Sequence, residues 1–385
     1  MNKNNNRSHD RLVLHFPGFE PAPAKLHYIR FKRECRKFRK LWGVQQDFGP
    51  INETEGASYW QTKTEGNDWS VSTRIVLLEW CSFLDYPTNL TFWQRIFASA
   101  PNYFAHYSTL APLNYFKANW RYGLAFISPV MGILVIAAVS WAIVSMISQF
   151  VVNLPEFLSV LTGLSIFLVI LRILGRRWEL PLGLEFFHHA YSITLPDSEV
   201  FHQRISIFSS VINREIKASS CDEINITTHS IGSVYAVSAL ANALRANPDL
   251  LNGKTLYFTT IASSVLHIAL MDRCKWAREN IELVLKHSNI QWINIYATND
   301  PLCFNNFSPE SVIEGTSANA LISRRVRFSR MVDKKRYRLL RYNFFLLHRQ
   351  MIMSNHYRYF YEFNLILFGP YNVVDLLQRK PASEI

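Results

Sequence analysis

An uncharged stretch in the middle of the chain constrains the fold more than any other feature. From residue 122 to residue 171 there is no Lys, Arg or Asp, and Glu156 is the single acid. The first apolar run, 124–146, has 23 residues, and a helix of that length covers the roughly 30 Å hydrocarbon core of a bilayer. The second run, 154–174, is barely long enough. The sequence therefore predicts a two-helix transmembrane hairpin over residues 122–174.

Charged residues at the two ends of this hairpin indicate its orientation. Lys117 and Arg121 precede it, Arg172, Arg176 and Arg177 end or follow it, and the connector has no positive charge. By the positive-inside rule, both flanks should be cytoplasmic, which gives a membrane protein with two spans. A pair of buried core helices or a monotopic hairpin is the alternative, although a soluble helix of this length normally shows a polar stripe.

The flanks, residues 1–121 and 175–385, are expected to form one α/β domain that the hairpin interrupts. Helical spacing predicts helices over 200–216, 232–248 and 272–288. Apolar, β-branched runs predict strands over 11–19, 72–80, 223–230, 254–263 and 291–300. Strands that alternate with helices indicate a mostly parallel sheet flanked by helices, with its site at the carboxyl ends of the strands.

Ser230 lies where one predicted strand meets a helix, in the segment ITTHSIGSVYA (226–236). A nucleophilic serine on a strained turn needs such a junction and small neighbours, which Gly232 and Ser233 provide. A serine that caps the helix would fit the same place. With His229 before the serine, the segment resembles the nucleophile elbow of the α/β-hydrolase family, commonly G-H-S-x-G. Thr228 stands where that pattern has its first glycine.

The resemblance implies a triad in the chain order serine, acid, histidine. Asp300 follows the strand residues QWINIYAT (291–298) and precedes Pro301, a position that suits the acid and also an Asp-Pro turn. His356 lies in a polar break, MSNHYRYF, and is the expected base. His348 is the alternative, but it falls in a stretch with the pattern of a continuous helix, where a surface or packing role is expected.

Residues 14–23, LHFPGFEPAP, cover the end of the first predicted strand and the turn after it. His15, Pro17 and Gly18 resemble the His-Gly element of the same family, although a simple tight turn has the same composition. The resemblance implies an oxyanion hole formed by the backbone N–H groups of Phe19 and Ile231.

These features together predict a membrane-anchored serine hydrolase, similar to esterases and lipases, that cleaves an ester or thioester and acts on lipid. Its partners would be membrane lipids and an acyl substrate. No metal or organic cofactor is expected, since a Ser-His-Asp mechanism needs none. The five cysteines are scattered and form no C-x-x-C pair, so they indicate neither a disulfide framework nor a zinc site. The same spacing favours a reducing compartment. A catalytically silent hydrolase-like scaffold that binds lipid or a partner is the alternative, which Thr228 supports.

The chain is basic, with a formal net charge of +12. Ten Lys or Arg lie within residues 324–349 and a second cluster lies within 32–40. No recognised nucleic-acid-binding motif accompanies them, so we expect contact with anionic membrane lipid rather than nucleic acid, with a plain solvated surface as the alternative. The oligomeric state stays open, because Gly132, Ala137 and Ala138 would allow helices of two copies to pair.

Overall fold

The described residues form a nine-stranded mixed sheet, helices that pack against it and two long apolar helices. The structure, a computed structural model, describes residues 7–81, 90–152, 154–305, 307–313 and 321–378. Its strands are β1 (Arg7–Phe16), β2 (Gln45–Phe48), β3 (Asn52–Thr54), β4 (Ala57–Glu65), β5 (Trp69–Leu77), β6 (Glu223–His229), β7 (Leu256–Ile261), β8 (Ile290–Ala297) and β9 (Ile322–Val326).

The helices in the described residues surround this sheet and extend from it. They are α1 (Ala24–Trp42), α2 (Phe92–Ala105), α3 (Ala111–Ala118), α4 (Trp120–Phe150), α5 (Glu156–Arg177), α6 (Leu180–Ser192), α7 (Glu199–Ala218), α8 (Gly232–Ala246), α9 (Val265–Ala269), α10 (Lys275–Lys286), α11 (Phe328–Met331), α12 (Lys334–Leu340), α13 (Phe344–Arg349), α14 (Phe363–Phe368) and α15 (Val373–Gln378). All the strands and helices predicted in the flanks are present, with boundaries shifted by a few residues.

The sheet is mixed: five of its eight strand pairings in the described residues are parallel, and three, which were not expected, are antiparallel. Its order is β2-β4-β5-β1-β6-β7-β8-β9, with β3 paired to β4. The strands from β5 to β9 along this order are parallel, whereas β2, β3 and β5 each pair antiparallel with β4. The antiparallel part comes from residues 45–65, whose strands the sequence patterns did not predict.

Strand β1 joins the two flanks of the hairpin in one sheet. It pairs with β5 on one side and with β6, beyond the hairpin, on the other. Because side chains alternate along a strand, Leu12 and Leu14 pack with the core that contains α7 and α8, and Val13 packs with the core that contains α1 and α14. The described residues of the two flanks therefore build one sheet with a core on each face.

The predicted hairpin corresponds to α4 and α5, of 31 and 22 residues. Only 17% and 6% of their most apolar windows are buried in the protein, and large apolar side chains such as Trp141 and Phe157 are exposed. A core helix of a soluble protein would be mostly covered by its neighbours. The two helices are thus long and apolar enough to span a membrane.

Candidate active site

Ser230 lies on a strained turn at the centre of the parallel part of the sheet. Strand β6 ends at His229, helix α8 begins at Gly232, and Ser230 between them has φ 53°. A residue with a side chain rarely adopts this left-handed conformation, which costs on the order of 1 kcal/mol or more. Its backbone N–H donates to Ile261 O (3.0 Å), so the neighbouring strand β7 holds the turn in place.

Two glycines allow the chain to pass close to this turn. A methyl group at Gly232 would lie 2.3 Å from Pro17 O, and one at Gly18 would lie 2.4 Å from His229 Nδ1 and 3.2 Å from the Cβ of Ser230. No other residue type fits at either position without movement of its surroundings. The loop after β1 therefore lies directly against the Ser230 turn.

Thr228, which stands where the resemblance expects glycine, is accommodated inside strand β6. It pairs with Phe16 on β1 and with Thr260 on β7, and it is fully buried. Among the described residues other than glycine, positive φ angles occur at Glu179, Ser230 and Ala262, so Thr228 needs no glycine-like backbone. The Ser230 carbonyl accepts a 2.6 Å hydrogen bond from Ser233 Oγ. This bond links the strained residue to the start of α8.

Asp300 follows β8, as predicted, and is completely buried. Its carboxylate accepts hydrogen bonds from Leu302 N–H (2.9 Å), Cys303 Sγ (3.2 Å) and His348 Nδ1 (2.7 Å). Burial raises the pKa of the Cys303 thiol well above its ordinary value, so the thiol remains protonated and donates. Three donors therefore converge on this buried carboxyl group.

His348 is the histidine that the structure brings to Asp300. With Nδ1 donating to the acid, Nε2 is left as the acceptor of a neutral imidazole. His348 Nε2 is buried and has no hydrogen-bond partner among the described residues. It lines a cavity of about 30 Å³, which we call the site cavity, together with Ser230, Phe19, His229, Ser264 and Arg349.

The Ser230 hydroxyl and the imidazole of His348 face this cavity without a hydrogen bond between them. In the described part of the chain, Ser230 Oγ lies 3.4 Å from Ser264 Oγ instead. Hydrogen bonds between catalytic groups are often long in unliganded enzymes and tighten when substrate binds. Serine, imidazole and carboxylate thus share one buried site, without a hydrogen bond between the serine and the imidazole.

His356, the histidine expected in this site, lies elsewhere, which corrects the predicted geometry. Its Nδ1 is 2.7 Å from Asp333 Oδ2, and both side chains are exposed to about 40% (38% and 41%). The reason lies in the segment before it, which is not the continuous helix that its pattern suggested. Helix α12 ends at Leu340, and Asn343 begins the next helix, because its side chain accepts from Leu346 N–H (3.0 Å) and caps α13.

This interruption carries His348 back to the sheet edge. Helix α13 is short, and His348 lies in its last turn, where it meets Asp300. An Asn before an apolar run is a known helix-start signal. That signal was present in the sequence at Asn343 and would have weakened the prediction of one uninterrupted helix.

The two expected oxyanion donors lie on either side of Ser230. Phe19 lines the site cavity, and Ile231 is the residue directly after the serine. Among the described residues, neither backbone N–H donates a hydrogen bond to a protein acceptor. Both groups are therefore free to donate to a bound oxygen atom.

Two further histidines near the site are held neutral. Burial lowers the pKa of His229 well below its ordinary value and that of His15 to about 3. The ring of His229 lies 4.8 Å from that of His348 between centroids, and its Nε2 is 3.3 Å from His348 O. His229 thus supports His348 by packing, without adding charge.

The same cluster offers a set of metal ligands. Asp300, Cys303 and His348 each present a ligand atom, and these atoms lie within 4.8 Å of one another. A thiol that burial keeps protonated is a poor ligand until it ionises, because the thiolate is the form that binds metal. The hydrogen bonds that His348 and Cys303 donate to Asp300 already explain why the three side chains lie together. They form an acid–histidine pair with a supporting thiol.

Comparisons of the chain with protein-family models, with curated proteins and with solved structures found no match.

Proposed function

We propose that this chain is a membrane-anchored serine hydrolase that cleaves an ester or thioester. One observation carries the proposal: a serine on a strained strand–helix turn shares a small buried cavity with the free nitrogen of a histidine whose other nitrogen binds a buried aspartate. This is the arrangement that activates a serine nucleophile, and it is recognised by geometry rather than by sequence position. The resemblance to the α/β-hydrolase elbow supports the same chemistry.

In the proposed mechanism, Ser230 Oγ attacks the substrate carbonyl while His348 Nε2 takes the hydroxyl proton. Asp300 fixes the imidazole with Nδ1 protonated and stabilises the imidazolium that forms. The N–H groups of Phe19 and Ile231 donate to the carbonyl oxygen as it becomes negative. The proton passes from His348 to the leaving alcohol or thiol, and water then hydrolyses the acyl-serine by the reverse proton path. No metal or cofactor takes part in these steps.

The membrane helices are joined to the loop that carries Asp300. Arg121 donates to Thr298 O (3.0 Å), and Asn119 Nδ2 donates to Asn305 O (3.0 Å). The ring of Tyr122 stacks on that of Phe304, with the ring centroids 4.0 Å apart. The first turn of α4 therefore packs on the polypeptide on both sides of Asp300. These contacts support a catalytic domain held against the bilayer surface.

The basic segments support the same orientation. Nine of the ten Lys and Arg in residues 324–349 are exposed, and Arg349 is half-buried at the site cavity. Asn343, within this basic stretch, donates to Arg177 O at the end of α5 (3.3 Å). A basic surface at the base of the hairpin would meet anionic cytoplasmic lipid, with a gain of about 1 kcal/mol per basic residue near the surface.

The proposed topology places both termini and the α/β domain in the cytoplasm. It rests on the basic residues that flank the hairpin and on their absence from the connector. Reporter fusions at residue 152 and at the C-terminus should lie on opposite sides of the membrane. Both reporters on one side would contradict a hairpin that crosses twice.

Hydrolysis in liposomes tests the proposed activity. The wild-type protein should hydrolyse lipidic esters, and Ser230→Ala should reduce turnover to a small residual, because a triad fails as a unit. Ser264→Ala is the matched control, since it removes the neighbouring hydroxyl; we expect it to cost no more than about tenfold. An unchanged rate in Ser230→Ala would reject Ser230 as the nucleophile, and no hydrolysis by wild type would favour the silent scaffold.

A further inference from the structure

Two cavities meet at a wall formed by Leu302 and Phe345. One is the site cavity, with Ser230 and His348. The other, which we call the apolar cavity, has a volume of about 250 Å³ and lies between α4, α5, α6 and the start of α13. Leu302 and Phe345 line both of them. The candidate nucleophile is thus separated from the larger cavity by two apolar side chains.

The sizes of the two cavities suit different parts of a substrate. The site cavity, about 30 Å³, has roughly the volume that one molecule occupies in liquid water. It can take a reacting carbonyl group but not a hydrocarbon chain. The apolar cavity, at about 250 Å³, approaches the roughly 300 Å³ at which ligand pockets begin.

The chemistry of the apolar cavity excludes a charged or strongly polar ligand. None of the residues that line it carries a formal charge. Helix α4 contributes Pro129, Gly132 and Ile136, and α5 contributes Leu171 and Gly175. The glycines leave room: a methyl group at Gly132 would have no heavy atom within 4 Å. Ser128, Tyr342 and Asn343 are polar members of a lining that is otherwise mostly apolar, so such a surface binds a ligand mainly through apolar contact.

The position of the apolar cavity indicates where its ligand comes from. Its walls come from the first half of α4 and the last turns of α5, the two apolar helices of membrane-spanning length. A hydrocarbon chain can pass from the bilayer between these helices without entering water. Phe345, a half-buried ring in a short helix, has to turn aside for the chain to reach Ser230.

We infer that the apolar cavity binds one long acyl chain of a membrane lipid, with the chain passing between Leu302 and Phe345 and its carbonyl carbon at Ser230. The hairpin is then part of the substrate site as well as an anchor. Cleavage of that lipid rests on the proposed hydrolase function, whereas binding of the acyl chain does not.

Photo-crosslinking measures binding independently of hydrolysis. The Ser230→Ala protein in phosphatidylcholine liposomes is irradiated with a hexadecanoyl ester that carries a diazirine at the chain end, and adducts are mapped by mass spectrometry. We expect adducts on Ile136 and Leu171. Gly132→Leu, which fills the cavity, should lower their yield by roughly tenfold. Adducts on exposed Trp141 are the internal reference, and Ala138→Leu, at an exposed position of the same helix, should change neither yield.

A second readout on the Ser230-containing protein separates the two proposals. Gly132→Leu should lower the ratio of hexadecanoyl to butanoyl ester hydrolysis, and Ala138→Leu should not. Adducts confined to exposed positions, or cavity adducts that Gly132→Leu leaves unchanged, would overturn the acyl-chain site even if both esters are hydrolysed. Cavity adducts without any hydrolysis would uphold the acyl-chain site and reject the hydrolase.

Discussion

His348 Nδ1 lies 2.7 Å from Asp300 Oδ2, the same distance that separates His356 Nδ1 from Asp333 Oδ2. The two pairs differ in their surroundings. The side chains of His348 and Asp300 are 7% and 0% exposed, whereas those of His356 and Asp333 are exposed to about 40% (38% and 41%). Water screens the outer pair, so only the inner pair orients an imidazole in a site from which solvent is largely excluded.

These two pairs provide a matched test of the histidine assignment. His348→Ala should reduce ester turnover by roughly 10³-fold or more, because it removes the base of a cooperative triad. His356→Ala removes an equally close but exposed pair and should leave turnover within about twofold. Both rates are measured on the same substrate at equal protein concentration. A large loss in His356→Ala with an active His348→Ala would restore the original prediction.

Cys303 distinguishes an acid–histidine pair from a metal site. As a supporting donor to Asp300 it contributes one weak hydrogen bond, so Cys303→Ala should cost about tenfold or less in turnover. As one of three metal ligands it would be needed for binding the ion. Turnover of wild type and Cys303→Ala is compared with and without a chelator. A loss of activity in wild type on chelation, together with an inactive Cys303→Ala, would indicate metal chemistry.

Gly232 tests the close approach of the loop after β1 to the Ser230 turn. A methyl group there would lie 2.3 Å from Pro17 O, a backbone atom that cannot turn away. Gly232→Ala should therefore lower the free energy of unfolding by about 1–3 kcal/mol and disturb the site. Gly163→Ala is the control, because its methyl group would meet only Val144 Cγ2 at an ordinary 3.5 Å. Equal stability of the two variants would contradict the packing described for the turn.

The buried carboxyl group of Glu362 should make the free energy of unfolding depend on pH. It is fully buried, and burial raises its pKa from 4.5 to about 8, against the effect of hydrogen bonds from Asn355 and Asn364. Between these values the folded protein binds more protons than the unfolded chain. Stability should be highest below the unfolded pKa and should fall as pH rises toward about 8, by at most about 1.4 kcal/mol per pH unit.

Glu362→Gln removes this titration and isolates it from other groups. Unfolding of both proteins in detergent is followed by denaturant titration from pH 5 to pH 9. The difference in free energy of unfolding between the variant and wild type should move in favour of the variant as pH rises. A constant difference across that range would mean that the Glu362 proton is not coupled to folding.

Ser230 and Asp300 were predictable from sequence because local signals place them. Each directly follows a run with strong strand character, and parallel strands bring their carboxyl ends to one edge of a sheet. The hairpin was predictable for a similar reason, since its length and lack of charge are local properties. The structure extends α4 by a few residues at each end without changing that interpretation.

His348 was not predictable in the same way because two local signals compete there. Apolar spacing favours one long helix, and the cap at Asn343 divides it; the contact with Asp300, 48 residues earlier, decides which histidine reaches the site. The family pattern was also a poor guide at position 228, where it expects glycine but the chain has Thr228. Family patterns describe residues, whereas the strain in this turn falls on the backbone of Ser230.

Covalent labelling of Ser230 tests the central claim most directly. A fluorophosphonate probe reacts with a serine only where a neighbouring base and oxyanion donors activate it. Isolated membranes that contain the wild-type protein, Ser230→Ala or His348→Ala are treated with the probe, and the labelled residue is identified by mass spectrometry. We predict labelling of wild type at Ser230, none in Ser230→Ala and a strongly reduced rate in His348→Ala. An unlabelled wild-type protein that is folded and inserted in the membrane, or equal labelling of all three proteins, would contradict the account.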